Sequence, residues 1–334
     1  MKKWIWLLLV ILGAIVVMGV SGFLRQPEAL PVSEPIPVSS PQLQPVESKL
    51  SVSADKLLAH IQKLNFQRYT AKERSQSRTY ITTQLRKLGW KPQLEKFTDG
   101  VNIFAERQGT DKASGAILVA AHYDTVAFSA GADDNASGVA VVLEVARLFA
   151  SGSLPQTLQL AFFDKEEAGL LGSRAFVNKA THLQNLRGVI VMDMVGYACY
   201  TVGCQQYPAG LPVTPPSDKG DFLAVIGDAE HLPLLNAFEN SEQNLPPVLK
   251  LPIPFKGLLT PDTLRSDHAP FWYQGVGAVL VTDTANLRTP HYHQPSDKPK
   301  TLEKTFFTGS AQIVVDATRS LLEKNDVLTT QPLS

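Results

Sequence analysis

The sequence predicts an α/β fold, a three-layer sandwich with a mostly parallel central sheet flanked by helices. Three observations carry that prediction. Short apolar runs of strand length alternate with longer amphipathic stretches through residues 92–324, the pattern of strands joined by crossover helices. Two of the runs, Ile117–Ala121 and Leu158–Phe163, are apolar almost throughout, as strands covered on both faces must be. No internal repeat interrupts the alternation.

The chain opens with Lys2 and Lys3, followed by an apolar, uncharged run from Trp4 to Val20. A run of that length spans a bilayer core, and the positive N-terminal flank predicts an N-terminal membrane helix with the rest of the chain exported. Residues 1–25 therefore read as a transmembrane signal anchor. A cleaved signal peptide is the rival reading, although its apolar core is usually shorter. Six prolines between Pro27 and Pro45 preclude regular helix and bury little, so residues 26–50 read as a Pro-rich linker.

The folded domain is expected over residues 51–326, with a tail at 327–334. Ser53 to Leu64 sets Leu57, Leu58, Ile61 and Leu64 on one helical stripe, and Ala71 to Leu88 does the same with Tyr80, Ile81, Leu85 and Leu88. Strands are predicted at Pro92–Phe97, Val101–Glu106, Ala116–Ala121, Thr157–Phe163, Gly188–Met192, Phe222–Ile226 and Ala278–Thr282. Helices are predicted at Ala136–Ala150, Gly169–Asn178, Leu232–Asn240 and Leu302–Lys324. Residues 197–219 break the alternation and read as an inserted loop. The loop holds the two cysteines of the chain, Cys199 and Cys204, close enough for a small disulfide in an exported protein.

Composition narrows the function classes. Lys and Arg together number 31, equal to Asp and Glu, so no basic excess exists for nucleic acid to bind. Two cysteines are too few for a structural zinc knuckle.

Ligands of an open α/β sheet bind beyond the carboxyl ends of its strands, and the predicted strand ends repeat one theme. Ile117–Ala121 runs into His122-Tyr123-Asp124, and a short loop later Gly131-Ala132-Asp133-Asp134-Asn135-Ala136-Ser137-Gly138 opens a helix. Thr157–Phe163 runs into Asp164-Lys165-Glu166-Glu167-Ala168-Gly169, Gly188–Met192 into Asp193, and His291-Tyr292-His293-Gln294-Pro295 follows the last strand. A series of imidazole and carboxylate groups suits catalytic zinc. A dinuclear site uses two ions about 3.5–4 Å apart and needs a base to take the proton of the attacking water. The adjacent Glu166 and Glu167 offer one ligand and one base.

The segments His122–Asp124, Gly131–Gly138 (GADDNASG), Glu166–Ser173 (EEAGLLGS), Met192–Met194 and His293 resemble metallopeptidase family 28, the aminopeptidase Y and bacterial double-zinc aminopeptidase group. The resemblance covers roughly Leu57 to Leu321 and implies a zinc exopeptidase-like fold binding two Zn²⁺. It implies that His122 and Asp193 end-ligate one zinc, Glu167 and His293 the other, and that Asp134 bridges them. Glu166 would be the general acid/base, activating a metal-bridging water, and Asp124 the residue orienting the His122 ring. Peptides with a free N-terminus would be the substrates, hydrolysed on the extracytoplasmic side of a membrane, or in secreted form after signal cleavage.

Other residues take lesser parts. Asp133 reads as a loop or supporting residue and Asp164 as a strand end. His291 competes with His293, but the family pattern of Pro two positions and Asp four positions after the ligand favours His293 with Asp297. Ser266–Phe271 resembles a family motif beside the site. Asn135 and Ser137 suit a helix start. Two further readings remain open: a glutaminyl-cyclase-like acyltransferase on the same fold with one zinc, and a non-catalytic binding domain.

Overall fold

The structure, a computed structural model, describes residues 50–208, 217–239 and 244–323. The expected anchor (1–25), nearly all of the linker (26–50), the tail (327–334) and residues 209–216 of the insert lie outside the described residues. No helix among the described residues is long and apolar enough to cross a membrane.

Eight strands form one sheet: β1 Gln93–Phe97, β2 Gly100–Arg107, β3 Ala116–His122, β4 Thr157–Phe163, β5 Leu186–Met192, β6 Leu223–Asp228, β7 Val248–Ile253 and β8 Ala278–Thr282. Their order is β1-β2-β4-β3-β5-β8-β6-β7. The sequence predicts a mostly parallel sheet; the sheet is mixed. Strands β4, β3, β5 and β8 run parallel at its centre. β2 joins this group antiparallel on one side and β6 does so on the other. The hairpin β1–β2 and the pair β6–β7 are what a strand-by-strand reading cannot orient, because direction follows from which neighbour each strand finds. β7 was not expected. Its Pro252 lacks an amide proton, which masks a strand in sequence and fits its place at the sheet edge.

Helices are α1 Ala54–Leu64, α2 Ala71–Lys87, α3 Ala136–Leu148, α4 Leu171–Val177, α5 Ala180–Leu183, α6 Leu232–Asn236, α7 Ala269–Tyr273 and α8 Lys304–Glu323. Alternate residues of each strand face opposite ways, and the two cores show it. Ile117, Val119 and Ala121 join Leu57 and Ile61 of α1, Leu85 of α2, Val139 and Val142 of α3, and Val314 of α8. Leu118 and Ala120 face the other side with Phe176 of α4 and Phe271 and Trp272 of α7. This is the expected three-layer arrangement, with the long helices on one face and short ones on the other. Each fully buried Leu, Ile or Phe contributes roughly 1.5–3 kcal/mol.

The join between α1 and α2 has local causes. Thr70 and Glu73 form a capping box, in which the Thr70 side chain accepts from the Glu73 amide and Glu73 accepts from the Thr70 amide at 2.7 Å. That sharp restart holds residues 65–70 beneath the strand ends and places Arg68 among them.

Candidate metal centre

Parallel pairing brings the predicted ligands together. Ala121 of β3 lies beside Phe162 of β4 and Met192 of β5. The residues that end or follow these strands, His122, Glu166–Glu167 and Asp193, therefore emerge at one edge of the sheet. His122 Nε2 lies 3.4 Å from Asp134 Oδ1 and 3.5 Å from Asp193 Oδ1. His293 Nε2 lies 3.2 Å from Asp134 Oδ2 and 3.1 Å from Glu167 Oε2. Two ligand groups result, His122–Asp134–Asp193 and Asp134–Glu167–His293, each with its ligand atoms within 4.8 Å of one another. Asp134 belongs to both and turns one oxygen to each. His291 belongs to neither; its ring meets the Ser296 hydroxyl at 2.9 Å and packs edge-on to Tyr197.

The loop carrying Asp134 is fixed from several sides. Asp297 accepts from the backbone amides of Asp133 and Asp134 at 2.9 and 3.0 Å. Asp133 is a supporting residue, as expected, and accepts from the Gly196 amide at 2.9 Å. Asn135 caps α3 by accepting from Gly138, and its amide donates to Met192 O at 2.9 Å. Ser137 donates to Asp133 O and accepts from the Val195 amide. Both helix-start residues therefore also tie the Asp134 loop to the end of β5. Two glycines are required here. Gly131 has φ +57°, and a Cβ on Gly138 would sit 2.4 Å from Asn135 Oδ1.

Asp124 faces Nδ1 of His122 at 3.5 Å, and its oxygens accept from the amides of Glu166 and Glu167 at 3.1 and 3.3 Å. It thus holds the Glu166–Glu167 turn as well as facing the imidazole. Lys165, Met194 and His293 adopt left-handed backbone at φ +60°, +54° and +57°. Such strain costs non-glycine residues about 1–2 kcal/mol each and gathers where side chains must be aimed.

The electrostatics are those of a concentrated anionic pocket. Burial pulls His122 down, but Glu166, Asp124, Asp134 and Asp193 outweigh it and raise it well above the usual imidazole range. For His293 burial again opposes, and Asp134 and Glu167 lift it to about 10. Asp134 is held well below the usual carboxylate range by these two imidazoles in spite of its burial. Burial and neighbouring carboxylates push Glu166 well up and Glu167 to about 7. Buried Glu167 Oε1 has no hydrogen-bond partner. Oxygen and nitrogen donors crowded this closely, with an unpartnered carboxylate oxygen and excess negative charge, fit divalent cations of the zinc type.

The site floors a cavity of about 420 Å³. Glu166 lines it beside His122, Glu167 and Asp193, and Phe222, Ala224, Ile226, Leu249, Leu251 and Leu280 form an apolar wall.

These motifs in this geometry identify the family, and a profile of peptidase family M28 matches residues 102–318. The chain belongs to peptidase family M28. Among M28 relatives, it is 34% identical over 214 residues to the uncharacterized protein YfbL of Escherichia coli, covering 59% of this chain and 64% of that one. It is 33% identical over 178 residues to leupeptin-inactivating enzyme 1 of Streptomyces exfoliatus, covering 47% and 39%. The chain thus spans less than two thirds of the length of these curated relatives. Solved structures share the fold. An aminopeptidase from Aneurinibacillus sp. strain AM-1 matches with TM-score 0.64 at 16% identity, over 85% of this chain and 97% of that one. The zinc aminopeptidase BSAP of Bacillus subtilis matches with TM-score 0.52 at 24% identity, over 70% and 53%. Glutaminyl cyclase of Porphyromonas gingivalis matches with TM-score 0.60 at 21% identity, over 80% and 98%.

The M28 motifs do not point to every residue that builds the site. Arg68 is fully buried, and its guanidinium donates to the carbonyls of Tyr123, Leu64, Phe66, Ala130 and Gly131 at 2.6–3.1 Å. It pins the loop between His122 and Asp134 and sets a cation near Asp297 and Asp134. No motif in the sequence marks it. Asp164, expected as a strand end, is fully buried and pairs with Arg74 at 2.8 Å. In the Ser266–Phe271 motif, Asp267 accepts from Ser173 at 2.5 Å and the ring of His268 meets Thr263 O at 2.7 Å, which locks α4 and α7 beneath the cavity. Cys199 and Cys204 form a disulfide.

Proposed function

We propose that this chain is a zinc-dependent aminopeptidase, with two ions held by His122, Asp134, Glu167, Asp193 and His293. The observation that carries this reading is Asp134, whose two oxygens face two separate ligand groups. Two ions bound there would act as Lewis acids toward an attacking water and the scissile carbonyl. Glu166 is the acid/base. Its buried carboxylate lines the cavity beside His122, Glu167 and Asp193, where it would take a proton from the attacking water and return it to the leaving amine. Asp124 positions the Glu166–Glu167 backbone and the His122 ring. The apolar wall excludes water and suits the side chain of an apolar N-terminal residue. Gln205 to Pro208 of the 197–219 insert line the same cavity, which supports a role for the insert in admitting free N-termini.

Metal analysis of the zinc-loaded full chain, with hydrolysis of leucine p-nitroanilide, tests the reading. Two zinc ions per chain and loss of turnover on chelation are expected; full activity after exhaustive chelation would overturn it. One zinc with pyroglutamate formation from glutaminyl peptides would favour the cyclase reading. No bound zinc would favour the binding domain.

Residues 1–25 are proposed as a membrane anchor and residues 26–50 as the spacer, with the catalytic domain at 51–326 on the extracytoplasmic side. The Cys199–Cys204 disulfide suits an oxidising compartment. Protease added outside intact cells should release the domain, whereas a domain protected from it would refute this orientation.

A further inference from the structure

Arg265 carries a charge that the metal centre does not use. It follows the turn Pro261–Leu264 and lines the cavity that holds Glu167 and His293. Its side chain is oriented by two neutral groups. One guanidinium nitrogen donates to Asn286 Oδ1 and the other to the Tyr292 hydroxyl, each at 3.1 Å. The guanidinium also lies 5.9 Å from the centre of the Tyr292 ring. Asp262 lines the same cavity, yet among the described residues no ion pair joins it to Arg265. A guanidinium has five N–H donors, so most of the fork remains available.

Its place relative to the reacting end is set by Tyr292. That ring stacks on His293 with centroids 3.7 Å apart and planes 20° apart. An extended peptide advances roughly 3.5 Å per residue, so the ring steps of 5.9 and 3.7 Å span two or three residues at most. On the other wall the side chains of Phe222, Ala224, Ile226, Leu249, Leu251 and Leu280 are apolar and offer nothing to an anion.

We propose that Arg265 binds the C-terminal carboxylate of a short peptide, which makes di- and tripeptides with an apolar first residue the preferred substrates. This inference rests on the aminopeptidase reading above. Carboxylate and guanidinium match as planar, two-point partners, and the exposed mouth of the cavity leaves the approach open. A longer peptide would carry its carboxylate past the fork. An acidic side chain at the second position would present the same chemistry, and the test separates the two.

The zinc-loaded full chain is assayed on Leu-Gly, Leu-Gly amide, Leu-Asp amide and leucine p-nitroanilide. Leu-Gly should exceed its amide at least tenfold in kcat/KM, with the difference in KM. Arg265→Met should abolish that ratio, and Arg265→Lys should keep part of it. Equal cleavage of acid and amide by the native protein would overturn the proposal. So would an Arg265→Met loss shared equally by all four substrates, which would make Arg265 a positioning residue for Tyr292 and His293. Leu-Asp amide cleaved as well as Leu-Gly would assign the fork to a side-chain carboxylate and reject the C-terminal one. If the native protein cleaves none of the four, leucine p-nitroanilide included, the aminopeptidase reading falls and takes this proposal with it.

Discussion

The two walls of the cavity are built on opposite principles. The wall at the ends of β3, β4 and β5 is polar and buried, and nearly every group in it is held by another: Asp297 holds the Asp133–Asp134 amides, Asp124 the Glu166–Glu167 amides, Arg68 the carbonyls between. The wall from β6, β7 and β8 is largely apolar, built from Phe222, Ala224, Ile226, Leu249, Leu251 and Leu280, with Ile226 and Leu249 only half buried. A connected polar network tolerates no missing member, because each loss leaves buried partners unsatisfied. An apolar wall loses only area. The first wall should therefore decide whether chemistry occurs and the second only which side chain is received.

Substitutions across the two walls test that division. Asp134→Asn should have the largest effect, since it weakens both ligand groups at once: zinc content should fall and hydrolysis drop by about a thousandfold or more. A variant that keeps two ions and normal turnover would remove Asp134 from the centre. Glu166→Gln should lower kcat by about 10²–10⁴ with metal content unchanged; joint loss of metal and rate would instead make Glu166 a ligand. Arg68→Met should cost about 3 kcal/mol or more in urea unfolding, because the carbonyls it serves stay buried without donors. A cost below about 1 kcal/mol would mean that water reaches them.

Acid should act on stability outside the centre. Burial pushes His60 and His268 from 6.5 to about 4. Well above pH 6.5 neither ring binds a proton in either state, so neither alters stability. As pH falls from 6.5 toward 4, the unfolded chain takes up protons that the folded chain refuses, and stability falls by roughly 2–3 kcal/mol for each ring. Urea midpoints measured from pH 7 to 4.5 should show this decline, and His60→Leu should flatten it; an unchanged slope would mean that His60 titrates normally. The smallest effect belongs to the apolar wall. Leu249→Ala should shift the Leu-to-Phe preference in kcat/KM by about tenfold with zinc content intact, and loss of metal there would blur the contrast between the walls.

The polar wall was legible in the sequence because its groups follow apolar runs. His122 ends β3, and Glu167 and Asp193 lie four and one residues beyond β4 and β5; strand ends of parallel neighbours share an edge of the sheet. Arg68 was not legible. Its role is to donate to carbonyls, which every residue has, so no motif records its partners. β7 was hidden by Pro252, and Arg265 by lying in a short turn whose spatial neighbours, Asn286 and Tyr292, are more than twenty residues away. His293 was separable from His291 only through the resemblance, and the ring contacts of each now distinguish them on geometry.

Sequence alone determined the class of the fold, the family and the set of side chains able to meet at one centre. These depend on local hydrophobic period and on residues placed at element ends, which a linear chain displays. Only the tertiary structure decided that Asp134 faces two ligand groups, that the sheet is mixed, and that one cavity joins an apolar wall to a guanidinium. Those depend on which strands become neighbours and which oxygen points where, and long-range packing settles both.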